Sequence, residues 1–347
     1  MIRTVIIASH TFAFGTSQGF YDYCKRKRFD VIFIGHPLFG NVFTWLFGAV
    51  DTLLQVVKTG KSYDLYVGSN NLNASVGLIL KTLGKVKRVV YFSPDWVLDR
   101  FGNLLLNRVY HWLDYICVKN CDMTWNSSAI MPIDPMMTER EKLGYPVEFR
   151  KKQIQVSDGT EVIDLPPFSA IDRYRIGFIG HLRPGMGVEM LLSAMPYILR
   201  KIPHASLLIM GSGPLEGDLR KRAAKLPVEF TGFVGDINEV YKKLSYCAIA
   251  VAPYEAGSIS EFTDPGKVKS YLTAGLPIVI TKVPKVAYEI NQKKAGIATS
   301  DKPEEFAKAI VEILGHAKKL RSYRGNALKL RDEYSWDRIF DRALSYL

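Results

Sequence analysis

The 347-residue sequence contains little that suits secretion or a bound metal ion. It has four cysteines, at positions 24, 117, 121 and 247, and their spacing matches no pair of zinc ligands. Buried structural thiols in a reducing cytoplasm are therefore the favoured interpretation. The first apolar run, residues 5–8, is far too short for the hydrophobic region of a signal peptide, and we expect it to form the first strand of a sheet.

Long uninterrupted apolar runs are also missing. The longest apolar stretch, residues 37–57, is interrupted by Asn41, Asp51 and Gln55. It is typical of an amphipathic helix rather than a membrane-spanning one, so we do not expect the chain to cross a bilayer.

Acidic residues are scarce relative to basic ones. The chain has 34 Asp and Glu against 46 Lys and Arg, which gives a net charge of +12. The run Lys25-Arg-Lys-Arg28 follows aromatic residues, a combination that suits an anionic membrane surface or a lipid-phosphate acceptor. No nucleic-acid recognition motif accompanies the charge, so we do not expect a nucleic acid partner. Solubility alone is an alternative that the sequence leaves open.

Buried strands and amphipathic helices alternate along both halves of the chain. Apolar strands are predicted at 5–8, 31–34, 65–67 and 88–92, and again at 175–180, 205–210, 228–230, 248–253 and 278–281. Strict alternation predicts an α/β protein with two Rossmann-like parallel-sheet lobes and a cleft between them. Residues 118–158 are polar and read as irregular, and residues 164–168 read as the linker between the lobes.

The segment 264–277 has the features of an anion-binding helix start. Asp264 can cap a helix, Pro265 suits its first position, and Gly275 can end it. Free N–H groups at the helix start, with Lys267 one turn inside, would attract an anion. Ser270 lies three residues further on, on the same face as Lys267. An ordinary capped helix is the alternative for this segment alone.

This segment, read as Asp-Pro-x-Lys followed by Tyr-Leu-x-Ala-Gly-x-Pro and a strand, resembles the donor-sugar site of family-4-type glycosyltransferases of the two-domain GT-B fold. The similarity runs from about residue 175 to the end of the chain. It includes the turns at 211–214 and 230–234 and the closing Tyr334-Ser-Trp-Asp337. The resemblance implies a first domain at 1–165 that binds the acceptor, a second at 172–333 that binds a nucleotide sugar, and a helix at 334–347 that returns to the first.

The resemblance also implies the site residues. Gly15 would meet a donor phosphate through its backbone N–H, although a turn glycine without a ligand is an alternative. Asp95 would face the reacting sugar as the catalytic group that orients or deprotonates an acceptor hydroxyl. Asp95 capping the next helix is its alternative. The other implied donor-binding residues are His181, Arg183, Gly213, Phe233, Val234, Asp264, Lys267 and Ser270.

Three positions depart from the family pattern. His181 and Met186 stand where the family has an Arg and a Lys for the donor diphosphate, and Ser270 stands where it has a Glu for the donor ribose. Arg183, Lys267 and Lys269 are nearby cations that could replace the missing charge. The departures keep two alternatives open, a nucleotide-sugar 2-epimerase-like enzyme and a non-catalytic transferase-like subunit of a glycan assembly complex.

The resemblance implies transfer of a hexosyl unit, with retained configuration, from a nucleotide diphosphate sugar to a hydroxyl of a lipid-linked or polysaccharide acceptor. No Asp-x-Asp motif lies in a suitable turn, so we expect no metal and no other cofactor. We expect the protein in the cytoplasm or on the cytoplasmic face of a membrane.

Overall fold

The computed structural model describes residues 2–10, 15–37, 42–94, 96–127, 133–258 and 265–347. The chain divides into two compact units. The first comprises Met1–Gly159 together with Trp336–Leu347, and the second comprises Thr160–Ser335. The division therefore falls before the expected linker at 164–168, and each unit is built around its own sheet.

The first unit contains a six-stranded parallel sheet in the order β2-β1-β3-β4-β5-β6. Its elements in chain order are β1 (Thr4–His10), α1 (Thr16–Arg26), β2 (Asp30–His36), α2 (Val42–Lys58), β3 (Tyr63–Ser69), α3 (Asn70–Thr82), β4 (Val86–Ser93), α4 (Leu104–Asn120), β5 (Met123–Asn126), α5 (Ile133–Lys142), a 3-10 helix (Val147–Lys152) and β6 (Gln153–Gln155). The helix α13 (Trp336–Leu344) completes the unit.

Helices cover both faces of this first sheet. The side chains of β1 alternate between the two faces, so each face has its own apolar core. Ile6 and Ala8 face a core that includes buried residues of α2, α3 and α4. Val5 and Ile7 face a second core that includes buried residues of α1 and α13. The apolar side chains of the closing helix, Trp336 and Phe340, therefore pack on the first sheet.

The expectation that residues 118–158 are irregular is wrong. The structure places the end of α4, β5, α5 and β6 in this segment. Three of its polar residues, Arg140, Asn126 and Gln153, are buried because they bind one another and Asp114 of α4: the guanidinium of Arg140 donates to both oxygens of Asp114 and to the side-chain oxygens of Asn126 and Gln153. A polar composition therefore concealed two strands of the sheet.

The second unit repeats the arrangement with the order β12-β11-β10-β7-β8-β9, again all parallel. Its elements are β7 (Arg175–Ile179), α6 (Val188–Lys201), β8 (Ser206–Met210), α7 (Glu216–Arg222), β9 (Val228–Gly232), α8 (Ile237–Ser245), β10 (Ile249–Ala252), α9 (Gly266–Thr273), β11 (Ile278–Thr281), α10 (Val286–Gln292), β12 (Gly296–Thr299), α11 (Pro303–Leu314) and α12 (Ala317–Glu333). The predicted α/β class with two parallel-sheet units is confirmed.

All four cysteines are free and buried, as the sequence predicted. Within the described residues, no helix is long and apolar enough to cross a membrane.

Candidate functional site

The best-defined candidate site of the second unit lies where its strands end. The loops that follow β7, β8 and β10 leave the same edge of the parallel sheet, the edge at which α/β proteins bind ligands. The first two loops are joined by backbone hydrogen bonds: Leu182 N donates to Ser212 O at 2.9 Å, and Leu215 N donates to Leu182 O at 3.0 Å. The loop after β10 joins them through Glu255, which accepts a hydrogen bond from Gly185 N at 3.1 Å.

Lys267 extends its ammonium group into this loop cluster from the first turn of α9. Its Nζ lies 4.6 Å from the ring centroid of Phe178 and 4.7 Å from that of Tyr254. The sulfur of Met186 lies 3.9 Å from the same nitrogen. A Cβ atom on residue 180 would lie 2.8 Å from Nζ, so Gly180 leaves room for the ammonium. Two aromatic faces and a thioether therefore hold this cation in a defined position.

The Lys267 ammonium has no acidic partner among the residues that the structure describes. Burial, reinforced by the nearby positive charge of Arg183, lowers the pKa of Lys267 to about 7. Arg183 and His181 lie exposed on the loop after β7. The loop cluster therefore carries basic side chains whose charge is not neutralised by the described part of the chain.

The structure places the start of α9 one residue later than the sequence predicted. Gly266 is the first helical residue, and Pro265 occupies the N-cap position, where it makes no side-chain capping bond. The predicted cap, Asp264, lies outside the described residues. The predicted helix end is confirmed, because Gly275 adopts φ +69° and its N–H bonds to Leu272 O at 2.9 Å.

The other predicted donor-site residues of the second unit lie around the same strand ends. A Cβ atom at residue 213 would lie 2.4 Å from Leu182 O, so Gly213 allows the loops after β7 and β8 to approach closely. Phe233 follows β9 and is 77% exposed, whereas Val234 is partly buried against the core. Ser270 is partly buried on α9. The sequence did not identify Tyr254 or Phe178 as neighbours of Lys267.

The first unit has a pocket of about 410 Å³ at the carboxyl ends of β1, β3 and β4. Gly15, in the pocket wall, precedes α1 with φ +94°, a backbone angle that glycine tolerates best. The predicted catalytic residue Asp95 follows the lining residue Pro94 but lies outside the described residues. The polar and aromatic lining includes Trp45, Ser69, Asn70, Asn71, Ser93, Arg100, Phe101, Tyr110 and Asp158.

His10 contributes a neutral imidazole to this pocket. Burial, with a smaller contribution from His36, lowers the pKa of His10 to about 4. Its Nδ1 lies 3.0 Å from Asn73 Nδ2. Hydroxyls, amides, a neutral imidazole and aromatic rings are groups that suit the hydroxyls and ring faces of a sugar.

No group of three or more His, Cys, Asp or Glu side chains within the described ranges is arranged to hold a metal ion.

Known glycosyltransferases are similar in sequence to the second half of this chain. Residues 173–316 match the model of the glycosyl transferases group 1 family. A GDP-mannose-dependent alpha-(1-6)-phosphatidylinositol dimannoside mannosyltransferase of Mycobacterium tuberculosis is 29% identical over 145 residues, which are 41% of this chain and 35% of that protein. The putative teichuronic acid biosynthesis glycosyltransferase TuaH of Bacillus subtilis is 26% identical over 175 residues, 49% of this chain and 42% of that protein. The matches thus span less than half of each of these relatives.

Solved structures are similar over the whole chain. HepE of Anabaena, crystallised with UDP and glucose, has a TM-score of 0.66 at 15% identity, covering 99% of this chain and 100% of that one. Sucrose-phosphate synthase of Thermosynechococcus elongatus has a TM-score of 0.67 at 15% identity, covering 99% and 98%. At this identity the likeness concerns the fold. The chain as a whole therefore has the GT-B fold, and its residues 173–316 are similar to the group 1 glycosyltransferases.

Proposed function

We propose that this protein transfers a hexosyl unit from a nucleotide diphosphate sugar to an acceptor hydroxyl, with retention of configuration and without a metal ion. The observation that carries the proposal is the Lys267 ammonium, held between Phe178 and Tyr254 with no acidic partner in the described residues. A partly buried cation without a counter-charge is costly, and an anionic ligand removes that cost. The diphosphate of the donor is such a ligand.

The basic residues of the loop cluster have a clear role in this reaction. The bond between the anomeric carbon and the diphosphate oxygen breaks, and the anomeric carbon bonds to the acceptor oxygen. Negative charge grows on the departing diphosphate, where Lys267 and Arg183 stabilise it, supported by the positive end of the α9 helix dipole. These residues would take the place of the family's Arg and Lys, whose positions carry His181 and Met186.

The acceptor would bind in the pocket of the first unit. Its amides, hydroxyls and aromatic rings suit a sugar or another polyol. Asp95 remains our prediction for the group that orients or deprotonates the acceptor hydroxyl. The names of two relatives, which concern a phosphatidylinositol dimannoside and teichuronic acid, support a lipid-linked or polysaccharide acceptor.

The free, buried cysteines support a reducing, cytoplasmic location for this reaction.

The test is a calorimetric screen of UDP-, GDP- and ADP-hexoses followed by a turnover assay. We expect one donor to bind, and Lys267→Met to weaken its binding while Lys318→Met, an exposed lysine of α12, does not. Binding without hydrolysis or transfer over a panel of acceptors would instead indicate the non-catalytic subunit. Isomerisation of the free sugar without an acceptor would indicate the epimerase.

A further inference from the structure

The first unit has an apolar surface on the outer side of α2, α3 and α4. On α2, the exposed residues Phe43, Phe47, Val50 and Leu54 recur at helical spacing, and Phe43 and Phe47 are 80% and 74% exposed. Apart from these, the exposed apolar side chains of the surface are Leu46 and Val57 on α2, Ile79 on α3, Leu83 directly after it, Leu98 before α4, and Leu104, Leu105, Val109 and Trp112 on α4. We call these 13 residues the apolar face.

The apolar face is more than scattered surface hydrophobicity. Of the 21 large apolar side chains that are exposed in the described residues, 13 lie here, although residues 43–112 are a small part of the chain. Its three helices cover one side of the sheet and contact one another in sequence, α2 with α3 and α3 with α4. Exposed apolar side chains concentrated on adjacent helices in this way are typical of an interaction site.

The unpaired charges beside the apolar face are basic, whereas the exposed acid next to Leu98, Asp99, accepts hydrogen bonds from Gly102 N and Asn107 Nδ2. Lys58 ends α2, Lys61 follows it, and Arg108 lies on α4 between Leu105 and Val109. All three are exposed, and none pairs with an acid within the described residues. The only acidic residue of α2, Asp51, is partly buried and accepts a hydrogen bond from Gln55. Apolar side chains flanked by unpaired cations are complementary to an anionic lipid surface.

Two cations of the run 25–28, where the sequence suggested a membrane contact, form ion pairs within the first unit. In that run, Arg26 pairs with Asp337 and Lys27 pairs with Asp341, so these two cations bind α13. Their helix, α1, also lies on the opposite side of the sheet from α2. The basic run and the apolar helix α2 therefore lie on opposite sides of the first sheet.

The apolar face is continuous with the pocket of the first unit. Trp45, on α2, lines the pocket, and its ring centroid lies 6.3 Å from that of Phe101, just before α4. The Phe101 ring in turn contacts Tyr110 at 6.1 Å. Aromatic side chains thus connect the apolar helices to the polar pocket.

We propose that the apolar face lies in the interfacial layer of an anionic bilayer, and that the neighbouring pocket takes the polar head of an acceptor anchored in that bilayer. The second half of this proposal rests on the proposed glycosyl transfer. The first half does not, because it concerns binding to lipid without donor or acceptor.

The experiment measures binding of the full chain to vesicles of phosphatidylcholine with phosphatidylglycerol, and of phosphatidylcholine alone. We expect the double substitution Phe43→Ser with Phe47→Ser to weaken binding to the mixed vesicles at least tenfold, because both rings leave the bilayer. The matched control, Val147→Ser with Tyr288→Ser, removes two side chains that are 65% and 71% exposed elsewhere and should bind as the wild type does.

The cations are tested separately. Lys58→Gln with Arg108→Gln should lose about 25-fold in affinity for the mixed vesicles at low salt, about fivefold for each cation, and change little on phosphatidylcholine alone. The control Lys201→Gln with Lys318→Gln removes two exposed charges of the second unit and should leave binding unchanged.

The orientation is tested with brominated phosphatidylcholine, which quenches tryptophan fluorescence at short range. Trp112 is 60% exposed and Trp45 is partly exposed, whereas Trp96, Trp125 and Trp336 are buried, so the quenching should fall in Trp112→Phe and the remainder should come from Trp45. Equal binding of the wild type and the Phe43 and Phe47 variant to anionic vesicles would overturn the proposal. So would a wild-type dimer that these substitutions convert to a monomer, because a second copy would then cover the face. Nucleotide-sugar binding measured without vesicles shows separately whether the proposed function stands.

Discussion

Replacing Lys267 with methionine removes the ammonium and keeps a side chain of similar length between Phe178 and Tyr254. A hydrogen bond from a charged group contributes about 1.5–3 kcal/mol, so the dissociation constant for the donor should rise about 10- to 150-fold. Lys267→Arg keeps the charge and should recover part of that loss. Titration calorimetry with the donor found by the screen measures all three proteins.

The lowered pKa of Lys267 adds a second, independent readout. With a pKa of about 7 in the free protein, roughly one molecule in ten carries the proton at pH 8. A bound diphosphate favours the charged form and raises the pKa, so donor binding at pH 8 should take up close to one proton, and binding at pH 6 about a tenth of one. Affinity should therefore fall as the pH rises above about 7, by up to tenfold per pH unit.

Proton uptake is measured by repeating the calorimetry in buffers of different ionisation enthalpy. The wild type should show the uptake at pH 8, and Lys267→Met should show none because the titrating group is gone. A folded Lys267→Met protein with wild-type donor affinity and wild-type proton uptake would refute the assignment of this lysine to the diphosphate.

Four further predictions follow from the same contacts. Gly213→Ala should weaken donor binding, because its Cβ would lie 2.4 Å from Leu182 O. The control Gly217→Ala should leave donor binding unchanged, because its Cβ would have nothing within 4 Å. The same calorimetric titration measures both. Between pH 7 and 10, the free wild-type protein should gain stability relative to Lys267→Met. The lysine holds its proton over this range in the unfolded chain and has lost it in the folded one, so raising the pH favours the folded wild type. Urea unfolding of both proteins at several pH values measures this. Trp336→Ala should cost about 3–5 kcal/mol in the free energy of unfolding, because the buried ring stacks on Phe340; a cost under 1 kcal/mol would contradict this packing. Arg140→Met should lower the free energy of unfolding, measured with urea, by about 3–5 kcal/mol, since it leaves the Asp114 carboxylate buried without its cation. A near-neutral effect would mean that water enters and solvates the carboxylate.

The sequence predicted the sheets well where parallel strands are buried on both faces. The strand Ile278–Thr281 was predicted with the bounds that the structure gives, and β10 within two residues. Such strands are apolar runs between turn residues, so composition alone identifies them. The order of alternating strands and helices then fixed the α/β class.

The site was predictable only in part, because the residues that surround Lys267 come from separate strand ends. Lys267 was identified from its position at the start of a helix. Phe178 lies near the end of β7 and Tyr254 follows β10. Both hold the ammonium, and both look like ordinary core residues in the sequence. The apolar face shows the same limit: the sequence identified an amphipathic helix but not which of its faces the sheet leaves exposed.

The segment 118–158 shows why polarity misled the prediction. Arg140 and Asp114 are both buried, and the guanidinium spans from that carboxylate to the side chains of Asn126 and Gln153 on β5 and β6. Each polar group is acceptable inside the protein because another satisfies it, so burial depends on the pairing and not on the hydropathy of any one residue. The pairing joins residues 13 to 26 positions apart, beyond the reach of local periodicity. A buried polar network can therefore read as a loop in the sequence and still order the edge of a sheet.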